Sequence, residues 1–144
     1  MQPDSTDWVI IDILRKGHVS NNEIARRLGV SEDMVRSRLK RMKEAGILEI
    51  RALIDTNRIV GRQLSLISVS VTEARLLDAK AQEISALEAV QSVSIVSGRY
   101  DLIVEVLVDS NHGLVEFLTE ALPQVAGIAK TESFLVLRSY GRHV

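Results

Sequence analysis

Residues 15–43 hold nine basic side chains, Arg15, Lys16, Arg26, Arg27, Arg36, Arg38, Lys40, Arg41 and Lys43, against three carboxylates, Glu23, Glu32 and Asp33. Residues 62–144 reverse the balance, with seven basic and ten acidic side chains. A formal charge of -1 on the whole chain therefore conceals a cationic stretch near its start. That asymmetry is what one end of a chain needs to meet phosphate. On charge alone the same run also reads as a solvated helix face, so spacing has to decide between the two.

Other chemistries find little support. The absence of cysteine excludes disulfides, thiolate metal sites and a cysteine nucleophile. His18, His112 and His143 lie far apart without ligand-spaced partners, which suits surface roles. No glycine-rich phosphate loop or nucleophile elbow is present. The expectation is a protein without metal, cofactor or catalytic centre. The start, Met1-Gln2-Pro3-Asp4, is acidic and lacks the pattern of a signal peptide. No apolar run approaches the ~18 residues of a membrane span, so a soluble cytoplasmic protein is expected. At 144 residues and 46% hydrophobic, the chain suits two small globular domains, each marginal alone.

The elements that must position the basic stretch are three helices. Val9, Ile10, Ile13 and Leu14 fall at helical spacing over Asp7 to Arg15, and Gly17 stops the run. Ser20-Asn21-Asn22-Glu23 reads as a capping box for a second helix, with Ile24, Ala25 and Leu28 as its apolar face and Gly29 as its end. Ser31 caps a third helix with Val35, Leu39 and Met42 on one side, ended by Gly46. The link Gly29-Val30-Ser31 is so short that the second and third helices must cross steeply, and Gly29 can take the left-handed backbone this requires. The predicted motif is a helix-turn-helix. Ile47–Ile54 reads as extended, either a wing strand or the start of a connector.

With Val35 at the centre of the buried face and roughly 100° per residue, Asp33, Ser37, Lys40 and Arg41 point outward, with Arg36 and Arg38 flanking. Such a face enters the major groove by its N-terminal part. Asp33 and Ser37, with Met34 beside them, are the candidates for base edges, and Ser31 opens the helix at the DNA side. Arg36, Arg38, Lys40 and Arg41 are placed for phosphates or a guanine edge. Glu32 reads as a stabiliser of the helix start, and Asp33 either does the same or accepts from cytosine N4.

The second half reads β-α-β-β-α-β: a strand over Leu64–Thr72, a helix over 73–88, strands over Val93–Ser97 and Leu102–Val108 around a tight turn at Gly98-Arg99-Tyr100-Asp101, a helix over Asn111–Leu122 closed by Pro123, and a last strand over Ala129–Arg138. The order predicts a ferredoxin-like sandwich, with both helices on one face of an antiparallel sheet. The fold class is α+β: a winged helix-turn-helix over 1–54, a linker over 55–63 and the sandwich over 64–144. Leu102, Val104, Val106 and Val108 make one strand face apolar, and Ile103 and Leu107 make the other nearly so. With no element to spare, a second copy of the chain is the expected cover, giving a homodimer.

Ile24-Ala25-Arg26-Arg27-Leu28-Gly29-Val30-Ser31, Val35-Arg36-Ser37-Arg38-Leu39 and Glu44-Ala45-Gly46-Ile47-Leu48 together resemble the helix-turn-helix of the Lrp/AsnC, or feast/famine, regulators. Gly98-Arg99-Tyr100-Asp101-Leu102 is similar to that family's Gly-x-Tyr-Asp hairpin, and Thr131-Glu132-Ser133 to its Thr-x-Thr/Ser before the last strand. The resemblance implies a regulator of transcription that binds double-stranded DNA, forms dimers that can stack into octamers, and senses an amino acid or related small metabolite bound at a subunit interface, the junction between dimers near the hairpin. It carries an effector site over to Gly98, Tyr100 and Asp101, with Thr131 and Ser133. Asp101 would take the ammonium group, and main-chain N–H groups near Gly98 the carboxylate. The alternative is a structural turn in which Asp101 bonds its own backbone. The chain departs from the family at Thr6-Asp7-Trp8, where a Leu-Asp start is usual, and at Lys16-Gly17-His18-Val19-Ser20, which lacks the usual Asp-x-Arg.

Two further readings remain open. One is an effector-independent DNA-organising protein. The other is an enzyme similar to the siroheme decarboxylases, whose two-part architecture is related. It would need basic residues and His to hold a tetrapyrrole's carboxylates, and the second half offers few.

Overall fold

The computed structural model describes residues 1–144, which fall into two compact units, Met1–Ala52 and Leu53–Val144. The first contains α1 (Ser5–Arg15), α2 (Asn21–Leu28) and α3 (Glu32–Glu44). Its core is Ile10, Ile11, Ile24, Ala25, Val35, Leu39 and Met42, all buried. The turn between α2 and α3 is built as the sequence requires: Gly29 takes φ +67°, and Val30 N–H returns to Ala25 O at 3.1 Å.

Two helix starts differ from expectation. Helix α1 begins at Ser5 rather than Asp7, because Asp4 caps it. Asp7 N–H donates to Asp4 Oδ1 (2.9 Å) and Asp4 N–H to Asp7 Oδ2 (3.0 Å). This is a reciprocal box with Asp in place of the usual Glu or Gln. At α2 only half of the expected box forms. Glu23 N–H donates to Ser20 Oγ (3.2 Å), but the Glu23 carboxylate turns to Arg26 and Arg27 instead of reaching back. No strand lies between Gly46 and Gln63. Of the two readings of Ile47–Ile54, the structure therefore builds the connector and not a wing strand.

The second unit runs β1 (Gln63–Val71), α4 (Leu77–Ser85), β2 (Val90–Ile95), β3 (Leu102–Val108), α5 (Asn111–Glu116) and β4 (Ile128–Leu135). The sheet order is β2-β3-β1-β4 with every pair antiparallel, the expected ferredoxin-like arrangement. β2 starts three residues early because a register shift between Val90 and Ser92 lets Val90 pair with Val106. β4 stops at Leu135, opposite Ser65 near the start of β1. Helix α5 is shorter than the predicted Asn111–Leu122. After Glu116 the chain widens into a π turn over Phe117–Ala121 and tightens again over Leu122–Gln124. Thr119 Oγ1 donates to Val115 O at 2.8 Å, and Pro123 has no N–H to continue the ladder.

Ile67, Val69, Leu102, Val104, Val106 and Val108 are buried against Ile84, Leu114, Phe117 and Leu122. On the opposite face Leu66, Ile103 and Leu107 are half-buried and Phe134 is exposed. The expectation that the chain has nothing to lay on this face is corrected. Arg142 in the tail forms an ion pair with Glu105, which lies on β3 between Ile103 and Leu107. The tail is tied down on both sides: Val144 and Ile54 exchange backbone bonds of 3.0 and 2.7 Å. Asn57 donates to Ser139 O at 2.8 Å and accepts from Ser139 N–H at 3.0 Å.

Candidate nucleic-acid interface and effector region

The outer face of α3 follows from its heptad-like burial. Val35, Leu39 and Met42 are buried, which leaves Asp33, Met34, Ser37, Lys40 and Arg41 exposed on the other side. Ser31 is spent as the N-cap, accepting from Met34 N–H at 3.2 Å. Arg36 is exposed but folded along its own helix, donating to Glu32 (2.7 Å) and Asp33 (3.2 Å). Lys40 is more loosely held, 3.8 Å from Glu44.

Arg38, expected at a phosphate or a guanine edge, turns toward the start of α1. Its side chain is mostly buried and donates to Asp4 Oδ2 (2.7 Å) and Asp7 Oδ1 (2.9 Å) on α1. Arg41 Nη2 donates to Asp7 Oδ2 at 2.9 Å while half of the Arg41 side chain stays exposed. The Asp7 carboxylate is fully buried, the only such charge in the core of this unit. Burial pushes its pKa up, but the Asp4 N–H and Arg38 outweigh it, and the net direction is down. Arg38 likewise holds the Asp4 carboxyl below its ordinary range. On α2, Arg26 and then Arg27 pull Glu23 down to about 2. The acceptors that the sequence reading did not assign are therefore Asp4 and Asp7, while Glu23, expected as a capping residue, serves Arg26 and Arg27. The one signal that could have found the first two was an Asp-x-x-Asp box ahead of an apolar run.

The hairpin candidates do not converge as a single site. The Asp101 carboxylate accepts from Val71 N–H at 2.9 Å, and its backbone bonds Val69 O and Val96 N–H at 2.9 Å each. That is the structural use weighed against a role at an ammonium group, and it engages one of the two carboxylate oxygens. By register, Thr131 lies opposite Val69 and Ser133 opposite Ile67, on the face that carries the buried core. Tyr100 reaches the other face. Its hydroxyl donates to Glu132 Oε2 at 2.7 Å, and Lys130 Nζ lies 5.9 Å from the centroid of its ring. The bond to Glu132, with burial, raises the Tyr100 pKa. Gly98 is exposed in the turn, at φ +150°. The residues that gather with Tyr100 are thus Glu132 and Lys130. They were missed because strand register cannot be read from the sequence.

No helix is long and apolar enough to cross a membrane. Residues 3–49 match the family described as winged helix-turn-helix DNA-binding, and residues 64–144 the family described as the Lrp/AsnC ligand binding domain. An uncharacterised HTH-type transcriptional regulator of Pyrococcus furiosus is 33% identical over 135 residues, covering 92% of this chain and 90% of its own. The HTH-type transcriptional regulator LrpA of Pyrococcus horikoshii is 26% identical over 135 residues, covering 93% and 96%. A transcriptional regulator of Neisseria meningitidis, solved as a complex with L-Met, superposes with a TM-score of 0.74 at 23% identity, covering 99% of this chain and 94% of its own. That likeness shows the shared fold. With a helix-turn-helix joined to this ligand-binding sandwich along nearly its whole length, the chain belongs to the Lrp/AsnC family of transcriptional regulators.

Proposed function

We propose that residues 1–54 bind double-stranded DNA through α3, that 55–63 serve as linker, and that 64–144 assemble copies of the chain and bind a free amino acid that modulates DNA binding. The observation that carries the DNA reading is one helix face. Asp33, Met34, Ser37, Lys40 and Arg41 are exposed together on the side of α3 opposite its core. Laid in a major groove, Met34 and Ser37 meet base edges and Asp33 meets a cytosine N4. Lys40, Arg41 and Arg36, once released from Glu32, meet phosphates. Arg38 leaves the contact set.

Assembly follows from apolar surface. Phe134, Leu135 and Leu137 are 48%, 44% and 91% exposed at the end of the last strand and the start of the tail. A second copy laid over them gives a symmetric dimer, and further contacts between dimers give the octamer the family resemblance implies. Nothing in this reading requires a reaction, a metal or a cofactor, and the place of action is the cytoplasm.

For the effector, the L-Met complex of the Neisseria regulator supports an amino acid. Asp101 is engaged by backbone, so the polar group available beside the hairpin is Tyr100 with Glu132 and Lys130. Glu132 accepts the ammonium group and Lys130 takes the carboxylate. A thermal-shift screen against the twenty amino acids tests this. A ligand at about 100 times its Kd stabilises by about 2.7 kcal/mol. A selective shift that is lost in Glu132→Gln supports the site. A shift that survives in Glu132→Gln places the effector elsewhere, and no shift with any amino acid overturns the amino-acid reading.

A further inference from the structure

Every arginine of the helix-turn-helix that faces a partner is already held by a carboxylate of the same unit: Arg26 and Arg27 by Glu23, Arg36 by Glu32 and Asp33, Arg38 and Arg41 by Asp7. Three of these five are held by side chains on their own helix. Arg38 and Arg41 are held from α1, and by a carboxylate with no exposed surface. An exposed pair on one helix exchanges freely with solvent and fixes little. A buried acceptor with several donors fixes geometry, because releasing it strands a charge.

We propose that Asp7 is a positioning residue for DNA binding, acting through Arg41. Asp7 uses both oxygens. Oδ1 accepts from Arg38, and Oδ2 accepts from Arg41 and from Asp4 N–H. The N–H of Asp7 is itself bound to Asp4 Oδ1, so the carboxylate cannot swing without breaking the start of α1. Arg38 is mostly buried and locks the pair of helices in register. Arg41, one turn further along α3, presents the rest of its fork to solvent at 53% exposure. A guanidinium carries five N–H donors in a rigid plane. With one nitrogen anchored on Asp7 and half of the side chain exposed, the remaining donors are left to meet a phosphate at the edge of the α3 outer face when that face enters a groove. The anchor removes rotamer freedom before binding, so less is lost when the phosphate arrives. Lysine cannot do this, since an ammonium group is a point charge without the fixed fork.

This inference rests on the DNA reading of α3. The test uses the full chain and a labelled random-sequence duplex, with affinity measured by fluorescence anisotropy across a salt series, and folding of each variant checked by far-UV circular dichroism. Arg41→Gln should weaken binding about tenfold, equivalent to about 1.4 kcal/mol, and reduce the salt slope by about 0.9. Asp7→Asn should weaken it in the wild-type background and have little further effect in Arg41→Gln, a coupled pair. Arg41→Lys, which keeps the charge and spares the fold, should lose most of what Arg41→Gln loses. Full affinity in Arg41→Lys, or additive losses in the double variant, overturns the positioning role and leaves Asp7 as a structural residue. Failure of the wild-type chain to bind any duplex overturns the DNA reading and this inference together.

Discussion

Two carboxylates, one in each unit, are used in opposite ways. Asp7 in the helical unit is buried and holds side chains, Arg38 and Arg41, that come from another helix. Asp101 in the sheet unit is half-buried, and its one bond goes to backbone, the N–H of Val71. A carboxylate bound to side-chain cations leaves those cations with donors to spare, so its geometry passes outward to whatever they touch. A carboxylate bound to a single main-chain N–H closes a turn and passes on nothing. The difference is why the helical unit reads as a surface prepared for anions, and why the effector reading proposed above assigns the hairpin's ligand chemistry to Tyr100, Glu132 and Lys130.

The largest effect should come from Asp7→Ala. It strands Arg38 and removes half of the α1 cap, and we expect a loss of about 2–3 kcal/mol, somewhat less than for a fully buried pair because Arg41 and Asp4 remain wet. Thermal unfolding of the full chain measures it, and duplex binding should fall with it. Asp101→Ala should cost about 1–2 kcal/mol by leaving the Val71 N–H without its acceptor, while duplex binding in the absence of effector stays unchanged. If Asp101→Ala weakens DNA binding as much as Asp7→Ala, the contrast between the two carboxylates collapses.

Ser20 sharpens the comparison, because its hydroxyl, like the Asp101 carboxylate, serves only backbone, the N–H of Glu23. Ser20→Ala should lower stability by about 1 kcal/mol in urea unfolding, with no change in the salt slope. The smallest effect belongs to Glu23, which like Asp7 serves side chains but at the surface. Its folded pKa of about 2 lies below the ordinary value of 4.5. Its contribution is therefore complete above that ordinary value and is lost as pH falls toward 2. Glu23→Gln should lower stability slightly at neutral pH and converge with the wild type as pH falls toward 2, which flattens the acid limb in that window. An unchanged acid limb would mean that the pairs with Arg26 and Arg27 contribute nothing in solution.

How much of this was legible depended on whether a geometry lies within one element or between two. The outward set on α3 was readable because helical periodicity fixes which side chains share a face with Val35, Leu39 and Met42. Gly29 and the crossing of α2 and α3 were readable because a short link leaves little choice. Arg38 was not, since its partners lie 31 and 34 residues away on α1, and nothing local distinguishes an arginine that turns inward. β3 was placed to the residue because its alternation is unbroken. β2 was not, because a register shift at its start changes which residues pair. The same reason separated Thr131 and Ser133 from Tyr100. Adjacent residues on a strand point to opposite faces, and the pairing of Ser68 with Glu132 sends Glu132, rather than its neighbours, to Tyr100. The tail was overlooked because Ser139 to Val144 carries no periodic pattern. Its role comes from Asn57, Ile54 and Glu105, all distant in sequence.

The account turns on α3 reading sequence in duplex DNA. The most direct test is to select the tightest-binding duplex from a random pool and compare its Kd with that of unselected duplex at one fixed salt concentration. The account predicts a preference of about a thousandfold or more, lost in Ser37→Ala and Met34→Ala. Equal affinity for selected and unselected duplex would contradict it and leave a protein that coats DNA without reading it.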